Sequence, residues 1–222
     1  MTLDRRPALL ALTLATAVLS AAGAASAAAP VTERVIHGPL TGLAPSGPVR
    51  EPPTAAATVA ALDSDHPAAD LRAYRRAGFV RAALQRFGDG RSTFGFSLAI
   101  ETRSATAARR EVARDQAIVR GDAARNDGMA TGVLVTLRRI PGSLAFVERF
   151  TDGGHRLRFT GVIFRQGAFA YTIVAGGPDR RISGRRLFDA AASLYDANAA
   201  GPGVTDATPA AAAPPIAPAR RS

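Results

Sequence analysis

Three histidines, eighteen carboxylates and no cysteine are the groups this 222-residue chain could use for acid–base, nucleophilic or metal chemistry. The absence of Cys removes thiol catalysis, thiolate-bound metal and disulfide scaffolding in one step. All 28 basic residues are arginine, and a phosphate loop of the Walker type needs a lysine. His37, His66 and His155 stand far apart, with none of the paired spacing by which one helix face presents two imidazoles to zinc. Gly95-Phe96-Ser97-Leu98-Ala99 approximates a nucleophile elbow. That elbow needs a sharp strand-to-helix turn at the serine, whereas Ser97 falls within an alternating strand pattern. Asp63-Ser64-Asp65-His66 with Asp70 could gather a cation. The same residue types also cap a helix and place negative charge in its first turn, which the helix dipole favours. Carboxylate pairs for glycoside hydrolysis depend on a separation in space, and the acidic residues here sit mostly in turns and on helices. The expectation is a protein without a catalytic centre, a metal or a cofactor.

Charge is more informative. The net charge is +10, and from Arg138 to Arg186 ten arginines face only Glu148, Asp152 and Asp179. Arg156 and Arg158 alternate with Leu157 and Phe159, so both are expected on the solvent side of a strand. Arg180, Arg181, Arg185 and Arg186 surround Ser183-Gly184 at a helix start. Each exposed cation there opposes the dipole by about 0.3–1 kcal/mol, and a bound anion would relieve the conflict. These six arginines form a candidate anion-binding surface. Its expected partner is an anionic envelope component or an acidic protein, not nucleic acid. A genome that uses Arg throughout in place of Lys would scatter the same charges over a solvated surface.

The elements that must carry these groups are preceded by a leader. Arg5 and Arg6, the apolar run from Ala8 to Leu19, and Ala25-Ser26-Ala27 have the layout of a secretory signal peptide cleaved after Ala27. An uncleaved anchor is the rival reading, although a span needs about 20 apolar residues. The arginine pair leaves both general and twin-arginine export open. Residues 28–64 read as a disordered linker and 201–222 as a Pro/Ala tail, with one domain between, over residues 65–200. Pro67 opens a short helix that Gly78 ends. Strands follow at Phe79–Phe87 and from Phe94, where Phe94, Phe96, Leu98 and Ile100 alternate with small residues. Ser104 caps a helix carrying Ala108, Val112, Asp115 and Val119 on one stripe, with Gly121 as its end. Residues 131–140 carry apolar groups on both faces, which predicts a central strand covered on both sides. Three more strands form a meander, and Ser183 caps a closing amphipathic helix. The order predicts an α+β domain: an antiparallel sheet of five or six strands covered by two long helices and a short N-terminal one.

Ala77-Gly78-Phe79-Val80, the hairpin bearing Phe94 and Phe96, Ile140-Pro141-Gly142-Ser143-Leu144-Ala145-Phe146 and Phe164-Arg165-Gln166-Gly167 together resemble a group of exported actinobacterial domains. That group is similar to the PsbP/LpqN-like α/β sandwiches, and the likeness runs from about Ala77 to Ala200. It implies a non-catalytic, extracytoplasmic domain and carries over no catalytic residue. The leading expectation is therefore a secreted, non-catalytic domain that docks onto the cell envelope through its basic face. One alternative is a binder of a lipid or small apolar ligand, for which the small face Gly95, Ser97 and Ala99 leaves room. A secreted hydrolase is the other.

Overall fold

A computed structural model describes residues 29–64, 66–125, 130–152 and 154–199. The expected signal peptide with its cleavage after Ala27, the expected tail 201–222 and Asp65 lie outside the described residues. Six strands, β1 Phe79–Phe87, β2 Phe94–Thr102, β3 Ala130–Val135, β4 Leu144–Asp152, β5 His155–Gln166 and β6 Phe169–Pro178, form one sheet. Its order is β1-β2-β6-β5-β4-β3, antiparallel throughout. Helices α1 Ala55–Leu62, α2 Pro67–Ala77 and α3 Ala105–Arg125 cover one face. Helix α4, Gly184–Ala199, and the chain from Val31 to Leu43 cover the other. The α+β architecture and the strand sequence are as expected.

Alternation on β2 sorts the two layers. Phe96, Leu98 and Ile100 point to the α1–α3 side, where Leu98 and Ile100 are buried with Leu84, Tyr74 and Val59. Ala99 points the other way, into the core built from Phe87, Phe164, Tyr171, Ile173 and Leu187. There the Phe164 and Tyr171 rings stack with centroids 4.6 Å apart.

The small face of β2 is filled rather than open. The Ile36 N–H donates to Ser97 Oγ at 3.1 Å, and Leu40 lies 3.4 Å from where a Cβ on Gly95 would stand. Small residues sit there because a second length of chain crosses close above them. Much of the expected linker is therefore part of the domain. Val31, Val35, Leu40 and Leu43 are buried, and α1 is a true helix whose first turn is capped by Thr54 Oγ1 accepting from the Ala57 N–H. Residues 44–50 also run along the outer edge of β1. Arg50 and Leu84 exchange two backbone hydrogen bonds of 2.9 Å, and the Ser46 N–H donates to the Arg86 carbonyl. From Leu84 to Gly88 that edge is covered by the chain itself.

The opposite edge is β3, which corrects the expected central strand. Apolar residues on both its faces meant exposure here, not cover: Val133, Leu134 and Val135 are 52%, 40% and 40% exposed. The chain leaves the sheet after Val135, and Ile140 turns back into the α4-side core. Helix α3 runs through Gly121 to Arg125 instead of ending at the glycine. A single helical glycine costs about 1 kcal/mol relative to alanine, too little to stop a 21-residue helix.

Candidate functional site: an apolar groove beside a buried charge cluster

Helices α2 and α3 meet over the sheet through charge. The spacing that places Val112 and Val119 toward the sheet also carries Asp115 inward, with Glu111 one turn earlier. Arg114 gathers the surrounding carboxylates: Nη1 stands 2.8 Å from Asp70 Oδ1, and Nη2 2.7 Å from Asp115 Oδ1 and 2.8 Å from Glu111 Oε1. Its guanidinium also lies 5.8 Å from the centre of the Tyr74 ring. Asp70 is held from behind, since Ser64 Oγ donates to its Oδ2 at 2.5 Å while accepting from the His66 N–H. Asp70 does lie in the first turn of α2, as expected, but its side chain tethers that turn to α3.

Burial dominates the protonation of this cluster. It pushes the Glu111 carboxyl up to about 7, with Asp115 and Asp70 adding to the rise and Arg114 and Arg76 opposing it. Burial likewise raises the Asp115 carboxyl and the Tyr74 phenol above their ordinary ranges. For Arg114 burial acts downward, but Asp115 and Glu111 outweigh it and hold the guanidinium charged.

Alongside the cluster lies an open groove of about 740 Å³. The half-buried Phe96 and Phe159 line it over the buried Leu98, Phe146, Ile163 and Val174, and Ile118 stands at its rim, 44% exposed. Tyr74, Asp70, Arg114 and Asp115 make the polar wall. Phe159 also lines a second groove, of about 550 Å³, with Phe94 and Phe150. The rings of Phe94 and Phe146 lie 6.0 and 5.4 Å from that of Phe159. The larger groove can take an apolar body and offer polar contacts along one side. Asp70 and Asp115 share one guanidinium, which engages them as acceptors. His37, His66 and His155 are exposed. Ser97 is fully buried in β2, on the face opposite the groove. Among the described residues no three His, Asp or Glu side chains are grouped to hold a metal ion.

The arginines expected to bind anions divide. Arg156, Arg180, Arg181, Arg185 and Arg186 are exposed, and Arg185 Nε lies 4.0 Å from Asp189 Oδ2. Arg158 does not project freely into solvent. Its Nη2 stands 2.6 Å from Asp179 Oδ1 and its Nη1 donates to the Ile182 carbonyl at 2.6 Å. It clamps the loop between β6 and α4, because an arginine flanking a strand end reaches the neighbouring turn before it reaches water. Ser183 caps α4 as expected, its Oγ accepting from the Arg186 N–H at 3.3 Å, so one of the donors proposed for an anion is occupied. Glu111, Arg114, Asp115 and Tyr74 were not expected as a site. The visible signal was Asp115 within an otherwise apolar helical stripe.

No protein-family model matches the chain, and no curated protein matches it. The chain is similar in backbone path to the extracellular domain of PknH from Mycobacterium tuberculosis. The two are 14% identical, the match covers 69% of this chain and 79% of that one, and the TM-score is 0.47. A likeness at this level carries no argument about function. Among the described residues no helix is long and apolar enough to cross a membrane.

Proposed function

We propose that this protein is a non-catalytic binding domain of the extracytoplasmic space, and that the groove between α2, α3 and the sheet holds an apolar, lipid-like ligand. The observation that carries the reading is the groove itself: about 740 Å³, with Phe96, Phe146 and Phe159 among its lining and Ile118 exposed at its rim. Small-molecule sites have volumes of about 300–1,000 Å³ and combine apolar walls with a few polar groups, as this one does. The ligand lies on the bulky face of β2, not on the small face first expected to leave room. Displacement of a fluorescent fatty acid from the purified protein tests the reading. Ile118→Glu introduces a charge where about half a side chain of burial is on offer, so it should weaken binding about fivefold or more while leaving the fold intact. No saturable binding, or equal binding by Ile118→Glu, refutes it. Contact with an anionic envelope component is the second reading, supported by the exposure of Arg156, Arg180, Arg181, Arg185 and Arg186 around the start of α4.

A further inference from the structure

We infer that a separate cleft, between the end of α2 and the start of α3, is an oxyanion site in which Arg76, Arg103 and Arg110 receive a phosphate- or sulfate-type group. The cleft measures about 460 Å³, and Ser104 and Thr106 add hydroxyls to its lining. Its three arginines are exposed. Arg76 uses its Nε on the Arg72 carbonyl at 3.3 Å. Among the described residues, the side chains of Arg103 and Arg110 have neither an ion pair nor a hydrogen bond. Glu111 also reaches the cleft; it pairs with Arg114 at 2.8 Å, and Arg76 is a second cation that favours its charged form. The three charges thus border one concavity whose lining holds a single carboxylate, Glu111, and the start of α3 adds the positive end of a helix dipole.

The cleft is built, not merely charged. The Arg103 N–H donates to the Gly78 carbonyl at 2.9 Å, which ties the end of β2 to the end of α2. The aliphatic stem of Arg103 then lies directly over Gly78, where a Cβ would stand 2.6 Å from Arg103 Cδ. Gly78 has φ of +66°, so glycine serves two ends there: it closes α2 in the left-handed region and lets the arginine pass. A stem held in this way has less freedom to lose on binding. Guanidinium forks match the geometry of tetrahedral oxyanions and stay charged at every physiological pH. Arg114 borders both the cleft and the apolar groove, so the two sites are neighbours with opposite chemistry, and this inference does not rest on the groove's being occupied.

Two probes test the inference on the purified protein. In one, inorganic phosphate is titrated at constant ionic strength while arginine side-chain NMR signals are followed. In the other, the protein is sedimented with phosphatidylcholine vesicles with and without phosphatidylglycerol. The expected result is a saturable response centred on Arg76, Arg103 and Arg110. It should weaken about fivefold to tenfold in each of Arg103→Gln and Arg110→Gln and be unchanged in an Arg180→Gln/Arg181→Gln double variant. Arg110 is exposed on a helix surface, so its substitution leaves the fold intact. A response to free phosphate alone assigns the site to a soluble oxyanion, and one to phosphatidylglycerol vesicles alone assigns it to a lipid headgroup. No response to either probe overturns the inference. So does a response spread evenly over the exposed arginines, or one that Arg103→Gln and Arg110→Gln leave unchanged.

Discussion

Glu111→Gln should make the protein more stable at pH 8 and change it by less than about 1 kcal/mol at pH 5. Glu111 is 4% exposed, and its carboxyl titrates at about 7 in the folded state against an ordinary 4.5. A carboxyl raised in this way holds its proton more tightly when folded than when unfolded. Its destabilising effect is therefore absent well below pH 4.5, grows between about 4.5 and 7, and levels off above that. Over that interval, at about 1.4 kcal/mol per pH unit, the stability lost by pH 8 is on the order of 3 kcal/mol. Glutamine has nearly the same shape and no charge to bury, so it escapes the loss. Urea unfolding at half-unit steps from pH 5 to 8 reads the difference. With a slope of about 1–3 kcal/mol per molar urea, the midpoint of the variant should exceed that of the parent by about 1 M or more at pH 8. Comparing variant and parent at each pH removes the contribution of groups common to both. A midpoint difference that stays constant across the range would refute the reasoning, because it would mean that Glu111 does not carry the proton.

Two further predictions concern packing. Gly161→Ala should cost about 1–3 kcal/mol of unfolding free energy, because its Cβ would stand 2.6 Å from the buried Phe146 ring and 2.9 Å from the Ile173 carbonyl. Gly176→Ala should cost much less, since the clashing ring is that of Phe94, which is exposed and free to swing aside; equal losses would show the distinction to be false. Leu40→Ala should cost about 2–5 kcal/mol, because Leu40 is fully buried against the sheet, and a loss below about 0.5 kcal/mol would show that the segment before α1 does not stabilise the domain.

The strands and long helices were readable because local signals agreed with the fold. The Phe94–Ile100 alternation, Pro67 with Gly78, and the serines at 104 and 183 each announced an element that the structure contains. The failures came where local pattern and tertiary role part. Val31, Val35, Leu40 and Leu43 keep no single period across the segment, which Gly38-Pro39 interrupts, so a stretch that buries them on the sheet read as linker. An apolar six-residue strand looks the same in the middle of a sheet as at its rim, and only pairing order placed β3 outside. Asp115 in the α3 stripe was the visible trace of the charge cluster. Its meaning depended on Asp70, 45 positions earlier in the chain, reaching the same guanidinium. No spacing rule links those two positions.

The unequal treatment of the two sheet margins limits how copies of this protein could join by strand pairing. A ribbon that grows without end needs two strand margins per molecule, one for the copy on each side, and residues 44–50 already occupy one of them from Leu84 to Gly88. A pair meeting through β3 would have only the short stretch 79–83 of the other margin left to offer a third. Strand pairing between copies is thereby weighted toward pairs over ribbons.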